Sequence, residues 1–123
     1  MILVDTSVWI DHLRHGESRL SALLENDEVG SHPVVIEELA LGSIKDRAAV
    51  VGSLGQLRAF PVMHHPEVLG FVEARRLWGR GLSAGDAHLL GSALLEAGSS
   101  LWTRDKRLRS AASEVGVDVV AWR

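Results

Sequence analysis

Four acidic residues stand where a folded chain could bring them together: Asp5, Glu38, Asp86 and Asp105. Asp5 ends the apolar run MILV, and Asp105 follows the run SSLWT by one residue. A short unbroken apolar run closed by a polar cluster reads as a buried strand, most often in a parallel sheet. A carboxylate at its carboxyl end lies on the edge where open α/β sheets bind ligands. Asp86 follows Ser83 by three residues at the start of an apolar-striped helix, close to a capping box. Glu38 lies beside Glu37 inside VVIEELALG. Each acid also has a plainer reading: Asp5 and Asp86 as helix caps, the two glutamates as a solvated strip. Gathered at one edge, the four would repel. A pair at about 5 Å costs about 3 kcal/mol at an effective dielectric of about 20. A hard cation among them removes that cost. The donors are all oxygen, without Cys or an organised His pair, which favours Mg²⁺ or Mn²⁺ over zinc. His12 and His15, three apart, and the adjacent His64 and His65 read as surface residues. Mg²⁺ completes its shell with phosphate oxygens, so acids with basic neighbours point to metal-assisted phosphodiester hydrolysis. One ion would activate water and a second would steady the leaving oxygen. The basic neighbours are Arg104, Lys106, Arg107 and Arg109, with a second group at Arg75, Arg76 and Arg80.

The elements that must position these residues alternate strand with helix. A helix follows Asp5 as far as Gly16, and a second carries Leu20, Leu23 and Leu24 on one face. EVGS, from Glu28 to Ser31, is a short strand. Pro33 suits the first position of the helix running to Gly42, which Val34, Val35, Ile36, Leu39 and Leu41 make apolar on most sides. Asp46 to Gln56 reads as a helix weakened by Gly52 and Gly55. Ala59 to Met63 reads as a strand whose Pro61 suits an edge. Pro66 to Trp78 is an amphipathic helix with Val68, Phe71, Val72 and Trp78 facing in. Leu89, Leu90, Ala93 and Leu94 stripe the helix after Ser83. Ser99 to Thr103 is a strand, a helix follows Asp105, and Val117 to Trp122 closes the chain as a last strand. Repeated β then α predicts an α/β layer fold with a mostly parallel sheet.

At 123 residues the expectation is a single domain over 1–123, large enough to bury a core without staples. The chain has no Cys, which excludes disulfides and Cys-based zinc sites. No signal peptide or membrane span is read from it, so the expected location is cytoplasmic. Its formal net charge of -3 excludes a bulk-basic nucleic-acid binder, although a local cationic patch can still track phosphates. Apolar residues make up 46%, and Trp9, Trp78, Trp102 and Trp122 are more than one small core usually takes, so a homodimer held by apolar helix surface is expected.

VDTSVW, IEELALG, LSAGDAHLL and LWTRDKRL resemble, in order, the four signatures of PIN-domain ribonucleases, and within these the VapC-type toxins of bacterial toxin–antitoxin pairs. The resemblance runs from Ile2 to about Leu108. It implies a PIN-like three-layer fold with a mostly parallel five-stranded sheet flanked by helices, and a homodimer. It implies a Mg²⁺-dependent endoribonuclease, with Mn²⁺ able to substitute, that cuts single-stranded RNA regions to leave a 5′-phosphate and a 3′-hydroxyl. A small antitoxin would block the acids with its C-terminal segment. The family's acidic quartet falls on Asp5, Glu38, Asp86 and Asp105, as catalytic residues and metal ligands. Thr6, Ser7 and Thr103 match positions that orient ligands, and Arg104, Lys106 and Arg107 would hold RNA phosphates. Glu37 has no assigned role. Two rival readings are weighed against this. A receiver-type phosphoacceptor domain needs an acidic residue near mid-chain, and Val50 to Val62 contains none. A catalytically inactive PIN-like domain that binds RNA or a partner would show loss of an acid, and all four are present.

Overall fold

The computed structural model describes residues 1–122; Arg123, the last residue of the expected domain, lies outside them. The chain order is β1 (Ile2–Val4), α1 (Thr6–His15), α2 (Ser18–Glu25), β2 (Val29–Ser31), α3 (Pro33–Leu41), α4 (Arg47–Leu54), β3 (Arg58–Ala59), α5 (His65–Arg75), α6 (Ala84–Leu95), β4 (Ser100–Trp102), α7 (Lys106–Val115) and β5 (Asp118–Val119). The five strands form one sheet in the order β3-β2-β1-β4-β5. Every pairing is parallel, with Leu3 opposite Gly30 on one side and Leu101 on the other. The expected five-stranded α/β architecture is therefore present.

The order fixes where a site can form. From β1 the chain builds outward to β2 and β3, then returns to the other side of β1 to lay down β4 and β5. Neighbouring strands β1 and β4 thus lead their chains apart, and a crevice opens beyond their carboxyl ends. Right-handed crossovers, the rule for such units, place the connections running toward β3 and the one running toward β5 over opposite faces of the sheet. Leu3, Val4, Leu101 and Trp102 are fully buried, as expected of central strands covered on both faces. Val8, Leu20, Leu39, Leu89, Leu90 and Leu108 bring the helices onto them. Gly30 in β2 lets the Phe60 ring approach: a Cβ there would collide with the ring's Cε1. Among the described residues, no helix is long and apolar enough to cross a membrane.

Several sequence expectations shift. The strand expected over Ala59 to Met63 is only Arg58–Ala59. Phe60 still donates from its N–H to the Ser31 carbonyl at 2.8 Å, but Pro61 has no N–H to continue the ladder. The last strand shrinks from Val117–Trp122 to Asp118–Val119, because Arg109 takes the carbonyls of Val120 and Trp122. Helix α5 stops at Arg75, and Arg76 adopts a left-handed conformation with φ 52°. That turn rotates the chain, so Leu77 is buried and Trp78, expected to face in, is 57% exposed. Helix α3 is less enclosed than its composition suggests: Val35 and Leu39 are buried, whereas Leu41 is 89% exposed.

Candidate functional site

Asp5 is the fixed point of the crevice. It is buried, and its backbone N–H donates to the Trp102 carbonyl at 2.8 Å, which extends the β1–β4 pairing by one step. Its carboxylate accepts three hydrogen bonds. Oδ1 takes the Thr6 N–H at 2.8 Å, and Oδ2 takes the hydroxyls of Ser7 at 2.9 Å and Thr103 at 2.7 Å. Asp5 is thus both the N-cap of α1 and a locked anion. A carboxylate has about four lone-pair sites, so roughly one remains for a ligand.

The other acids are tied to this point by short links. Thr6 donates its hydroxyl to Glu38 Oε1 at 2.6 Å, drawing the middle of α3 toward the start of α1. Thr103 donates to Asp5 and accepts the Asp105 N–H at 3.0 Å, so one buried hydroxyl joins two of the acids. Asp105 caps α7, its Oδ1 accepting from the N–H groups of Arg107 and Leu108 at 2.8 and 3.3 Å. Asp86 and Ser83 form a reciprocal capping box at the start of α6, with bonds of 2.9 and 3.1 Å. Capping and convergence are therefore not alternatives here. Glu38, Asp86 and Asp105 each spend one oxygen on the protein, and the other accepts no hydrogen bond from the described residues. Glu38 Oε2 faces the first turn of α6, 3.5 Å from where a Cβ on Gly85 would stand.

The electrostatics register the same gathering. Partial burial holds the Asp86 carboxyl above the usual aspartate value, the negative charges of Asp5 and Asp105 raise it further, and the hydrogen bonds from Ser83 oppose both. Among the described residues, no three His, Asp or Glu side chains close around a single point tightly enough to enclose an ion. The donor set is nevertheless all oxygen with outward lone pairs, which fits a hydrated divalent cation that keeps several waters.

The cations expected to meet RNA divide. Lys106 and Arg107 are exposed, and neither pairs with a carboxylate among the described residues. Arg104 is already engaged. Its Nη2 bonds Glu17 Oε2 at 2.9 Å, and its Nε lies 2.6 Å from Asp11 Oδ2, close but poorly aligned. Its guanidinium also lies over the Trp102 ring at 5.9 Å. The same pairing holds the Glu17 carboxyl below its usual value. Arg104 thus braces the α1–α2 turn, and its N–H donates to the Ser7 hydroxyl at 3.2 Å. Glu37 is exposed beside Glu38, and its side chain makes no hydrogen bond or ion pair among the described residues.

The sequence reading passed over one pair of residues behind the acids. His32 is buried at 1% exposure and caps α3, its Nδ1 accepting the Val34 N–H at 3.0 Å. Among the described residues its Nε2 has no partner, nor has the buried Nδ1 of His88, and the two rings stand 5.9 Å apart between α3 and α6. Pro33 marked a helix start, but nothing beside it marked His32 as buried. Burial lowers the His32 pKa to about 4, and His88 adds to the effect. Between the ordinary value near 6.5 and about 4 the unfolded chain binds the proton and the folded chain does not. Stability from this group is complete above that window and is lost as pH falls through it, by up to about 3 kcal/mol. Urea unfolding of wild type and His32→Asn at pH 7.5 and pH 4.5 checks this. The variant keeps a capping acceptor without the titration, so it is expected to lose distinctly less stability across the interval. Asp86 acts in the opposite direction in both proteins and cancels in the comparison.

The profile of the PIN domain family matches residues 2–114. The chain is 63% identical over 117 residues to Ribonuclease VapC32 of Mycobacterium tuberculosis, covering 95% of this chain and 94% of that protein. Its fold is similar to the crystal structure of FitAcB from Neisseria gonorrhoeae, with a TM-score of 0.61 at 23% identity over 97% of this chain and 96% of that one. It is also similar to PAE2754 from Pyrobaculum aerophilum, with a TM-score of 0.61 at 21% identity over 97% and 88% of the two chains.

Proposed function

The chain belongs to the PIN-domain family, and from that premise we propose that it is a VapC-type endoribonuclease whose divalent cation is held by Asp5, Glu38, Asp86 and Asp105. The observation that carries the proposal is the linkage of Asp5 to Glu38 through Thr6 and to Asp105 through Thr103, at the crevice between β1 and β4. Residues 1–123 are read as one domain, acting in the cytoplasm on single-stranded RNA regions. An antitoxin segment laid across the acids would inhibit it. Apolar side chains left exposed at Leu69 and Trp78 support a homodimer.

When bound, Mg²⁺ or Mn²⁺ supplies stabilisation of charge on the phosphate oxygens and eases loss of a proton from the attacking water. The chain's own residues set the geometry. Asp5 is immobilised by three donors, so the acids around it are placed before RNA arrives. Water would attack in line with the departing 3′ oxygen, its proton passing to solvent, while Glu38, Asp86 and Asp105 each keep one oxygen free toward the cation. The products are then a 5′-phosphate and a 3′-hydroxyl. Lys106 and Arg107 hold backbone phosphates by charge, without a base code.

The test is cleavage of unstructured RNA by purified protein, first stripped of metal with EDTA and then supplied with Mg²⁺ or Mn²⁺. Cleavage absent in EDTA and restored by either ion, with 5′-phosphate on the new ends, is expected. Cleavage that survives thorough chelation overturns the metal-dependent reading.

A further inference from the structure

We propose that Arg80, Lys106, Arg107 and Ser110 form a second phosphate subsite, which holds a backbone phosphate of the same RNA strand apart from the one being cut. The inference rests on the nuclease reading above and adds to it where the strand runs beyond the acids.

These four side chains line one cavity of about 250 Å³ on the surface. Lys106, Arg107 and Ser110 lie on the first turns of α7, with Ser110 three and four residues after the two cations and therefore on their side of the helix. Arg80 comes from the loop that leads to Ser83 and Asp86. The two walls of the cavity are thus continuous with the segments carrying Asp105 and Asp86, and a strand leaving the acids between these segments meets it.

The cations are arranged rather than merely present. Arg107 lies flat on the backbone of Gly81. A Cβ at Gly81 would stand 2.7 Å from Arg107 Nη1 and 3.0 Å from its Cδ, so a larger residue there would push the guanidinium from its present place. Gly81 also has φ +75°, the left-handed conformation that glycine adopts without strain. Arg80 is aimed by Glu114, whose Oε2 is 2.8 Å from Nη2 and whose side chain is 60% exposed. A guanidinium has five N–H donors, so this contact directs Arg80 and leaves other donors for an anion.

The charge balance separates this cavity from the one beside it, lined by Thr103, Arg104, Lys106 and Arg109. Arg104 faces two carboxylates, and Arg109 spends its donors on the carbonyls of Thr103, Val120 and Trp122. Of the three cations lining the Arg80 cavity, Arg80 alone pairs with a carboxylate among the described residues, that of Glu114, which is not part of the lining. Lys106 and Arg107 have no paired carboxylate among the described residues, so an incoming phosphate need not displace a partner.

A subsite away from the reacting bond contributes to binding of RNA long enough to reach it. The experiment compares two RNAs with the same cleavage site, one truncated close to it on both sides and one extended. Wild type is expected to have a clearly higher kcat/KM on the extended RNA. Arg80→Gln and Arg107→Gln should shrink that advantage severalfold, mainly through KM. Binding of the extended RNA to the Asp86→Asn protein, followed by fluorescence anisotropy at several salt concentrations, gives a readout independent of cleavage. Adding Arg80→Gln there should lower the salt slope by about one. Equal wild-type efficiency on both RNAs, or an unchanged advantage and salt slope in the variants, overturns the subsite while leaving the nuclease reading intact. A wild-type protein inert toward both RNAs with Mg²⁺ or Mn²⁺ removes the nuclease reading and the subsite with it.

Discussion

Asp86→Asn is expected to reduce RNA cleavage about a thousandfold and, in EDTA, to raise the melting temperature of the same protein. The loss of activity follows from replacing an anionic ligand with a neutral amide. Each tenfold in rate is about 1.4 kcal/mol of barrier, and metal-assisted charge stabilisation is worth several kcal/mol. The gain in stability follows from the same charge. Burial and the neighbouring Asp5 and Asp105 raise the Asp86 carboxyl, so its ionised form at neutral pH opposes folding. A raised carboxylate gains stability as pH falls toward its folded value, and the amide makes that relief permanent. Asn can still accept the Ser83 N–H that Asp86 Oδ2 accepts at 2.9 Å, so the capping box survives. Removing one like charge is worth on the order of 1 kcal/mol, a shift of a few degrees. Added Mg²⁺ should stabilise wild type more than the variant, because metal binding adds to folding only where the site binds it. Melting curves of both proteins in EDTA and in excess Mg²⁺ decide the matter. A variant that melts below wild type in EDTA contradicts the charge argument.

Thr103→Val is expected to lower cleavage about 10- to 100-fold and stability by about 1–3 kcal/mol. Thr103 is fully buried, and its hydroxyl both donates to Asp5 at 2.7 Å and accepts from the Asp105 N–H at 3.0 Å. Val fills nearly the same space, so packing is kept while both bonds are lost. Asp5 then has one donor fewer to fix its orientation, and the start of α7 loses its anchor. Thr103→Ser keeps the hydroxyl and should recover most of the activity. The checks are urea unfolding and initial cleavage rates. A Val variant with wild-type rates would show that Thr103 only fills space.

How far the sequence disclosed this arrangement depended on how local the physics was. MILVD, as an apolar run closed by a carboxylate, announced a central strand with an acid at its end, and the strand order bore that out. Ser83 and Asp86 announced their own capping box. Where the outcome depended on a distant partner, sequence pattern fell short. Trp78 lost its inward place to Leu77 because Arg76 turns left-handed, which the apolar spacing did not reveal. Arg104 read like its basic neighbours, yet Asp11 and Glu17, far away in the chain, engage it. His32 looked like an ordinary residue before a proline, and only the packing of α3 against α6 makes it a buried cap facing His88.

The first strand of the chain is the middle strand of the sheet, and its partner β4 comes nearly the whole chain later. On the ribosome, Asp5 and Glu38 emerge early but in an unfinished sheet. The hydroxyl of Thr103 that fixes Asp5 is made 98 residues later, and Asp105 just after it. Pairing across so long a separation is paid for in chain entropy before it is rewarded, so the site closes late. A chain synthesised only as far as α6 therefore carries no assembled catalytic centre, since β4 and Asp105 are still to be made.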